Sequence, residues 1–380
     1  MEIVISSLIL NWFVLYAVCI LGLAWSCNQE QKKQSRAQSA NGEALHRFSI
    51  IIPFRNEEHR LPPLLASLAT LDYPQTHVEL VFVDDHSEDQ STTLIRTFQK
   101  NHPEWSIQLV TSASEGKKAA LYTGISQAQM PFIVTTDADC VVLPSWLKTF
   151  NAHFQNPGIQ LLCGPVRLVA DGSWVAAFDR LDFLAQQACS LGAHGLGIPL
   201  GCSGANLAFA KAEFHTINGY AGNAHIASGD DVFLLHKMMD KNPAQVAYVT
   251  VPTATVSTPA NTSWKALLQQ RIRWGTKAPA YTHRSSRFLT GFLVLSNLLL
   301  ALMTLVLLFA TALTPSVLIA WILKLGSDVF FVLLAAQVYK QKDVFNSLWW
   351  VTPCYPFYIS ALSLSSLWLP AFWKGRSLTK

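Results

Sequence analysis

Apolar runs at both ends of the chain, enclosing a middle of ordinary composition, set the limits on its fold. Ile3 to Trp25 is an apolar stretch of about the 20 residues needed to cross a bilayer. Near the other end, Phe288 to Leu313 and Ser316 to Tyr339 are two more, and Leu348 to Trp373 is a less regular third containing Pro353 and Pro356. Of the 380 residues, 51% are hydrophobic and 14% charged, against about 25% charged in an ordinary soluble domain. Met1-Glu2-Ile3 supplies no basic leader and Ala24-Trp25-Ser26 is a poor cleavage site, so the first run reads as an anchor rather than a signal peptide.

The net charge of +4 is mild. Its basic residues gather beside the apolar runs, which suits an anionic membrane face and argues against nucleic acid as a partner. Lys32, Lys33, Arg36 and Arg47, then Lys277, Arg284 and Arg287, then Lys340 and Lys342 all fall on one side if the amino terminus is outside. That places the middle of the chain in the cytoplasm of an integral membrane protein, at the plasma or inner membrane. Lys374, Arg376 and Lys380 then end outside, unless the prolines fold the last segment into a re-entrant hairpin. Lys324 and Asp328, four apart in a span, share a helix face as a neutralising pair or as a polar contact for an acceptor or another subunit. The seven cysteines form no C-x-x-C pair and read as reduced thiols.

Between the runs, short β-branched stretches alternate with helical patterns. Phe48–Pro53, Val78–Val83, Ile107–Val110 and Phe132–Thr135 read as buried parallel strands. Leu61, Leu64, Leu65 and Leu68 recur at helical spacing after the first, as do Leu94, Ile95 and Phe98 after the second. The alternation predicts a doubly wound α/β sheet with ligands at the carboxyl ends of its strands. The expected division is an anchor over 1–25, a polar linker over 26–47 and a catalytic domain over 48–286. A membrane region over 287–373 and a basic tail over 374–380 follow. Neither a dinucleotide nor a P-loop glycine fingerprint is present.

Acidic motifs fall at those strand ends. Asp84-Asp85 follows the second strand and is suited to capping a helix or to ligand binding. Asp137-Ala138-Asp139 follows the fourth, and residues i and i+2 of extended backbone project to one side. Paired hard oxygens there suit Mg²⁺ or Mn²⁺. In Ser228-Gly229-Asp230-Asp231 the serine and the second aspartate make an approximate capping box, which leaves the adjoining of two carboxylates unexplained. Gln270, Arg273 and Trp274 stand at i, i+3 and i+4 on one face of a helix predicted over 264–274. An interfacial helix accounts for the tryptophan but not for the glutamine and arginine beside it.

The three acidic sites followed by Gln270-Arg271-Ile272-Arg273-Trp274 resemble the family 2 glycosyltransferases over roughly Phe48 to Trp274. The closest likeness is to the membrane-integrated branch with cellulose, chitin and hyaluronan synthases and ceramide glucosyltransferase. The resemblance implies a GT-A fold and an inverting, metal-dependent transfer from a nucleotide sugar, UDP-linked, to a lipid or polysaccharide acceptor. Glucose and N-acetylglucosamine are the family's commonest donor sugars. It further implies Asp84, Asp85 and Lys117 at the donor nucleotide, and Asp137 and Asp139 on the metal ion and diphosphate. Asp231 is implied as the catalytic base beside Asp230, and Gln270 and Arg273 at the diphosphate. Gly204 and Asn206, in Gly201–Phe209, fall on the acceptor side, where an arginine sometimes follows in the family and Phe209 stands here. Trp274 would floor the acceptor sugar. A silent membrane scaffold with the same fold is the rival reading. Its mark would be eroded carboxylates, and all are present.

Overall fold

The computed structural model describes residues 2–37, 44–222, 229–307, 314–369, 371–373 and 376–378. The chain divides into two compact units, one of Met1–Gln31, Ala170–Leu200 and Ala260–Lys380, the other of Lys32–Val169 and Gly201–Pro259. The division is not a simple cut along the chain: residues 170–200 and 260–286 group with the membrane helices.

The helical unit contains α1 (Glu2–Ala37), α6 (Trp174–Gly195), α9 (Trp264–Gly275), α10 (Arg284–Val306), α11 (Thr314–Val338) and α12 (Phe345–Trp368). Among the described residues, three helices are long and apolar enough to cross a membrane: Ile3–Gln34, Arg284–Val306 and Thr314–Val338, of mean hydropathy 2.3, 2.2 and 2.1. The first helix continues well past Trp25, through the early part of the polar stretch. Pro353 and Pro356 lie inside α12, so at the prolines the chain continues as helix rather than turning back as a hairpin. Lys374 and Lys380 lie outside the described residues.

Inside this unit Lys324 is fully buried and paired with Asp328. The Tyr16 hydroxyl donates to the same carboxylate at 2.7 Å, and the Trp12 indole N–H donates to Ser296 at 3.0 Å. The Lys324–Asp328 pair is therefore neutralised within the helices, the arrangement a costly intramembrane charge requires. Phe178 and Leu181 of α6, Leu267 of α9, Val332 of α11 and Val351 of α12 form a buried apolar cluster.

The other unit is built on a sheet of β1 (Phe48–Phe54), β2 (Val78–Asp84), β3 (Ser106–Thr111), β4 (Phe132–Thr135), β5 (Leu161–Cys163), β7 (Leu207–Ala210) and β8 (Val246–Tyr248). Their order is β3-β2-β1-β4-β7-β5-β8. The first four are mutually parallel; β7 runs antiparallel to both β4 and β5, making the sheet mixed. A short parallel pair joins β6 (Val166–Val169) to β9 (Val256–Pro259). Helices α2 (Leu61–Ala69), α3 (Ser91–Asn101), α4 (Lys117–Gln127), α5 (Trp146–Phe154), α7 (Lys211–Thr216) and α8 (Asp230–Lys241) complete it. The strand order reverses between β2 and β4 on either side of β1, and in open α/β sheets ligands sit beyond the carboxyl ends at such a point.

Candidate active site

In the sheet unit, the register aligns Phe54 with Asp84 and Asp84 with Thr111, so the chain leaves β1, β2 and β3 side by side. Arg55 then donates from Nη1 to the carbonyls of Asp85 and His86, at 2.9 and 3.2 Å. Asn56 and His86 both adopt left-handed backbone, with φ of 51° and 57°. Such strain in non-glycine residues concentrates at ligand sites.

Within the acidic pair the two carboxylates have different tasks. Asp84 closes its own loop by accepting the Ser87 N–H at 2.8 Å. Asp85 is 1% exposed and accepts the Gly116 N–H at 2.8 Å. Burial raises its pKa, and the Gly116 N–H and the Arg55 charge only partly offset that. Asp85 thereby holds the turn that delivers Lys117. Gly116 has φ +108° and ψ 148°, a region essentially reserved for glycine.

Lys117 is the hub. Its ammonium lies 2.5 Å from Asp137, with side chains 26% and 33% exposed. Burial works against its charge, but Asp137, Asp230 and Asp231 together hold the pKa above the ordinary lysine value. Carboxylates from two separated segments of sequence thus act on one cation. Asp139 faces the Arg60 guanidinium at 3.8 Å.

The Asp230-Asp231 pair opens α8. Ser228, the expected cap, lies outside the described residues; the residue at the cap is Gly229, in left-handed backbone at φ +94°. Asp231 Oδ1 accepts the Val232 N–H at 2.7 Å and Oδ2 the Gly204 N–H at 3.1 Å. Gly204 is itself fixed through its carbonyl, which accepts the Thr135 hydroxyl at 2.7 Å from the end of β4. Strand β4 thus leads to Asp137 directly and steadies Asp231 through Gly204. Tyr220, 6% exposed, has a pKa pushed up by burial and then by Asp230 and Asp231.

Asn206 is fully buried, accepts the Trp146 indole N–H at 2.9 Å, and donates to the carbonyls of Pro165 and Ala254 at 2.7 and 2.8 Å. Its amide thus joins separate segments inside the unit.

Gln270, Arg273 and Trp274 belong to the helical unit. Gln270 Oε1 accepts from Arg271 Nη1 at 2.7 Å and from Asn261 Nδ2 at 2.9 Å. Arg273 and Trp274 are partly exposed. Arg271, to which the sequence reading gave no role, is 3% exposed and bonded to Asp179 and Asp182 of α6 at 2.6 and 2.8 Å. Burial opposes its charge, but the two carboxylates hold its pKa above the usual value. Two aspartates three apart, interleaved with Phe178, Leu181, Phe183 and Leu184, were the available signal.

A divalent cation would find suitable chemistry at Asp137 and Asp139. Among the described residues no group of three His, Cys, Asp or Glu side chains could hold a metal ion. Mg²⁺ commonly takes one or two carboxylates and completes its shell with phosphate oxygens and water. Asp137 and Asp139 are partly exposed, hard-oxygen ligands already facing cationic side chains, and they fit that mode.

Comparison with known proteins agrees with this architecture. A mannosyltransferase from Pyrobaculum calidifontis, solved with GDP-Man and Mn²⁺, superposes with a TM-score of 0.53 at 18% identity, over 94% of this chain and 99% of that one. The poly-β-1,6-N-acetyl-D-glucosamine synthase of Staphylococcus epidermidis is 24% identical over 60% of this chain and 53% of its own length. An undecaprenyl-phosphate 4-deoxy-4-formamido-L-arabinose transferase of Shewanella sediminis is 35% identical over 24% of this chain and 28% of its own. The matches thus span about half the length of these curated relatives or less. The sheet unit has the GT-A fold of family 2-like glycosyltransferases. The sequence model of glycosyl transferase family 21 matches residues 13–379, nearly the whole chain, and the chain belongs to that family.

Proposed function

We propose that this protein transfers a sugar, with inversion, from a nucleoside diphosphate donor to a lipid acceptor at the membrane. The observation that carries the reading is Lys117, whose ammonium lies 2.5 Å from Asp137 and whose pKa is raised by Asp137, Asp230 and Asp231. Its positive charge marks where a diphosphate would sit, beyond the carboxyl ends of the parallel strands. Asp231 takes the proton from the acceptor hydroxyl as that oxygen bonds to the anomeric carbon. The bond from that carbon to the diphosphate oxygen breaks, and the nucleoside diphosphate leaves. The two backbone N–H groups on Asp231 hold its carboxylate in one rotamer; Lys117 balances charge on the departing diphosphate. A divalent cation on Asp137 and Asp139 would add Lewis-acid stabilisation of that same charge. Asp84 and Asp85 shape the nucleotide end, Arg273 supports the diphosphate and Trp274 offers a face to the acceptor. The basic residues flanking the spans support a cytoplasmic catalytic unit.

The Shewanella relative is named for a lipid phosphate, which favours a lipid over a polysaccharide; among the described residues three helices are candidate spans. UDP-glucose or UDP-N-acetylglucosamine is the proposed donor, with GDP-mannose as the contrast. Membranes containing the protein are incubated with each radiolabelled donor, with Mn²⁺ or EDTA. Metal-dependent label in the organic phase is the expected result; label in ethanol-insoluble material would identify a polymer product, and none in either would return the scaffold reading.

A further inference from the structure

The helical unit contains a buried ionic network that the proposed reaction does not use. Arg271 lies between Asp179 and Asp182, bonded from Nη2 to the first at 2.6 Å and from Nε to the second at 2.8 Å. Both aspartates are completely buried. The remaining oxygen of Asp179 accepts the backbone and side-chain N–H groups of Asn261, each at 2.8 Å. The remaining oxygen of Asp182 accepts the Tyr355 hydroxyl at 2.9 Å. The third guanidinium nitrogen reaches Gln270, and the guanidinium plane lies 4.3 Å from the centre of the Trp274 ring.

Stability alone is a weak reason to keep such a group, because an apolar core of the same volume is often as stable as a buried ion pair. What distinguishes the network is where its members sit. It joins α6 to α9 through Asp179 and Asp182, fixes the entry to α9 through Asn261, and reaches α12 through Tyr355. Two of its direct contacts, Gln270 and Trp274, belong to the Q-x-x-R-W face. A guanidinium fork accepts little variation in angle, so its bonds set the rotation of α9 about its axis and the direction of Arg273 and Trp274.

We infer that Asp179, Asp182 and Arg271 are positioning residues for the Q-x-x-R-W face, locking α9 onto α6 and, through Tyr355, onto α12. The inference rests on the roles proposed above for Arg273 and Trp274. A side chain misplaced by an ångström can cost about a hundredfold in rate, so loss of the fork acts on turnover even when the helices stay packed.

The test compares Arg271→Lys, Asp179→Asn and Tyr355→Phe with Arg273→Ala, scoring kcat and donor and acceptor KM per folded molecule in membranes. Arg271→Lys keeps the charge and loses the fork, and is expected to lower kcat/KM by roughly 10- to 100-fold. Tyr355→Phe removes one bond at the edge of the network and is expected to lower it less, while accumulating normally. In a Trp274→Ala background the effect of Arg271→Lys is expected to shrink, because effects on one unit are not additive. Wild-type kinetics in Arg271→Lys and Tyr355→Phe, with Arg273→Ala impaired, would overturn the positioning role and leave the proposed reaction standing. Full multiplication of the Arg271→Lys and Trp274→Ala losses would also overturn it, as that is a general packing defect. Wild-type turnover in Arg273→Ala would instead remove the reading of the motif itself. Should Arg271→Lys fail to accumulate, Tyr355→Phe decides: wild-type kinetics sink the inference.

Discussion

Asp179 and Asp182 in the helical unit and Asp137 and Asp231 in the sheet unit are the same chemical group under opposite conditions. The first two are wholly buried, and every oxygen is met by Arg271, Asn261 or Tyr355. Nothing is left for a ligand. Asp137 and Asp231 are partly exposed, and Asp137 meets the Lys117 ammonium at 2.5 Å. Partial exposure suits a site where a charged donor arrives and leaves. Carboxylate count alone therefore separates neither set; burial does. On this contrast, positioning is proposed for one set and chemistry for the other.

The sharpest way to break it is Asp231→Asn. If Asp231 is the base, transfer falls by about 10²- to 10⁴-fold while nucleotide binding is nearly unchanged. The asparagine side chain still accepts one of the two N–H groups, so the fold is kept. Turnover per folded molecule above about a tenth of wild type, well outside the usual loss for a general base, would move the role elsewhere.

Asp139→Ala comes next. Acting through a cation, Asp139 is expected to contribute to donor affinity roughly 10-fold or more in Mn²⁺, the scale of one charge-assisted contact, and little in EDTA. Titrating a nucleotide sugar under both conditions checks this. Equal losses with and without metal would make Asp139 a direct ligand of the sugar, or a partner of Arg60 alone.

How much of this was legible in the sequence follows from element length and from distance along the chain. Strands β1, β2 and β4 carry apolar runs before acidic loops, and their parallel arrangement could be read. Strands β5, β7 and β8 have three, four and three residues, too short for any periodicity to stand out. The antiparallel β7 was thus missed, and with it the reason Asn206 is interior. The partnership of Arg271 with Asp179 and Asp182 spans 92 and 89 positions and has no local signature beyond two carboxylates in an apolar helix. Asn261, whose backbone N–H bonds to Asp179, anchors the entry to α9 in that network.

Asp85 offers a smaller test of the same contrast, through pH. It is buried, and burial raises its pKa. An acid whose folded pKa lies above its unfolded value, near 3.9, weakens the fold as pH rises through that interval, and the cost is fully present above it. Asp85→Asn keeps an acceptor for the Gly116 N–H and removes the buried charge. It is expected to melt higher than wild type at pH 7, with the margin closing as the pH falls towards 4. Transfer falls in the same variant if the strain serves the nucleotide site. A lower melting temperature at pH 7 would mean that Arg55 needs the charge, and that Asp85 is a satisfied structural pair after all.

The smallest expected effect belongs to Gly204→Ala. A methyl group at this position would meet Asp230 Oδ2 at 3.5 Å and Asp231 Cβ at 3.6 Å, ordinary contacts that displace nothing. The backbone N–H that holds Asp231 is retained. Stability is therefore expected to stay within about 0.5 kcal/mol of wild type, as for substitutions that disturb no packed feature. The methyl does occupy space beside Asp231, the carboxylate proposed to take the acceptor's proton. Acceptor KM is thus expected to rise by a few fold, the scale of about 1 kcal/mol, while donor KM stays put. Varying the two substrates separately reads this directly. An unchanged acceptor KM would place the acceptor away from Gly204 and leave the glycine only its hydrogen bond to Asp231. A rise in donor KM alone would put the diphosphate, not the acceptor, on this side of the base, and the contrast between the two sets of aspartates would need a different geometry.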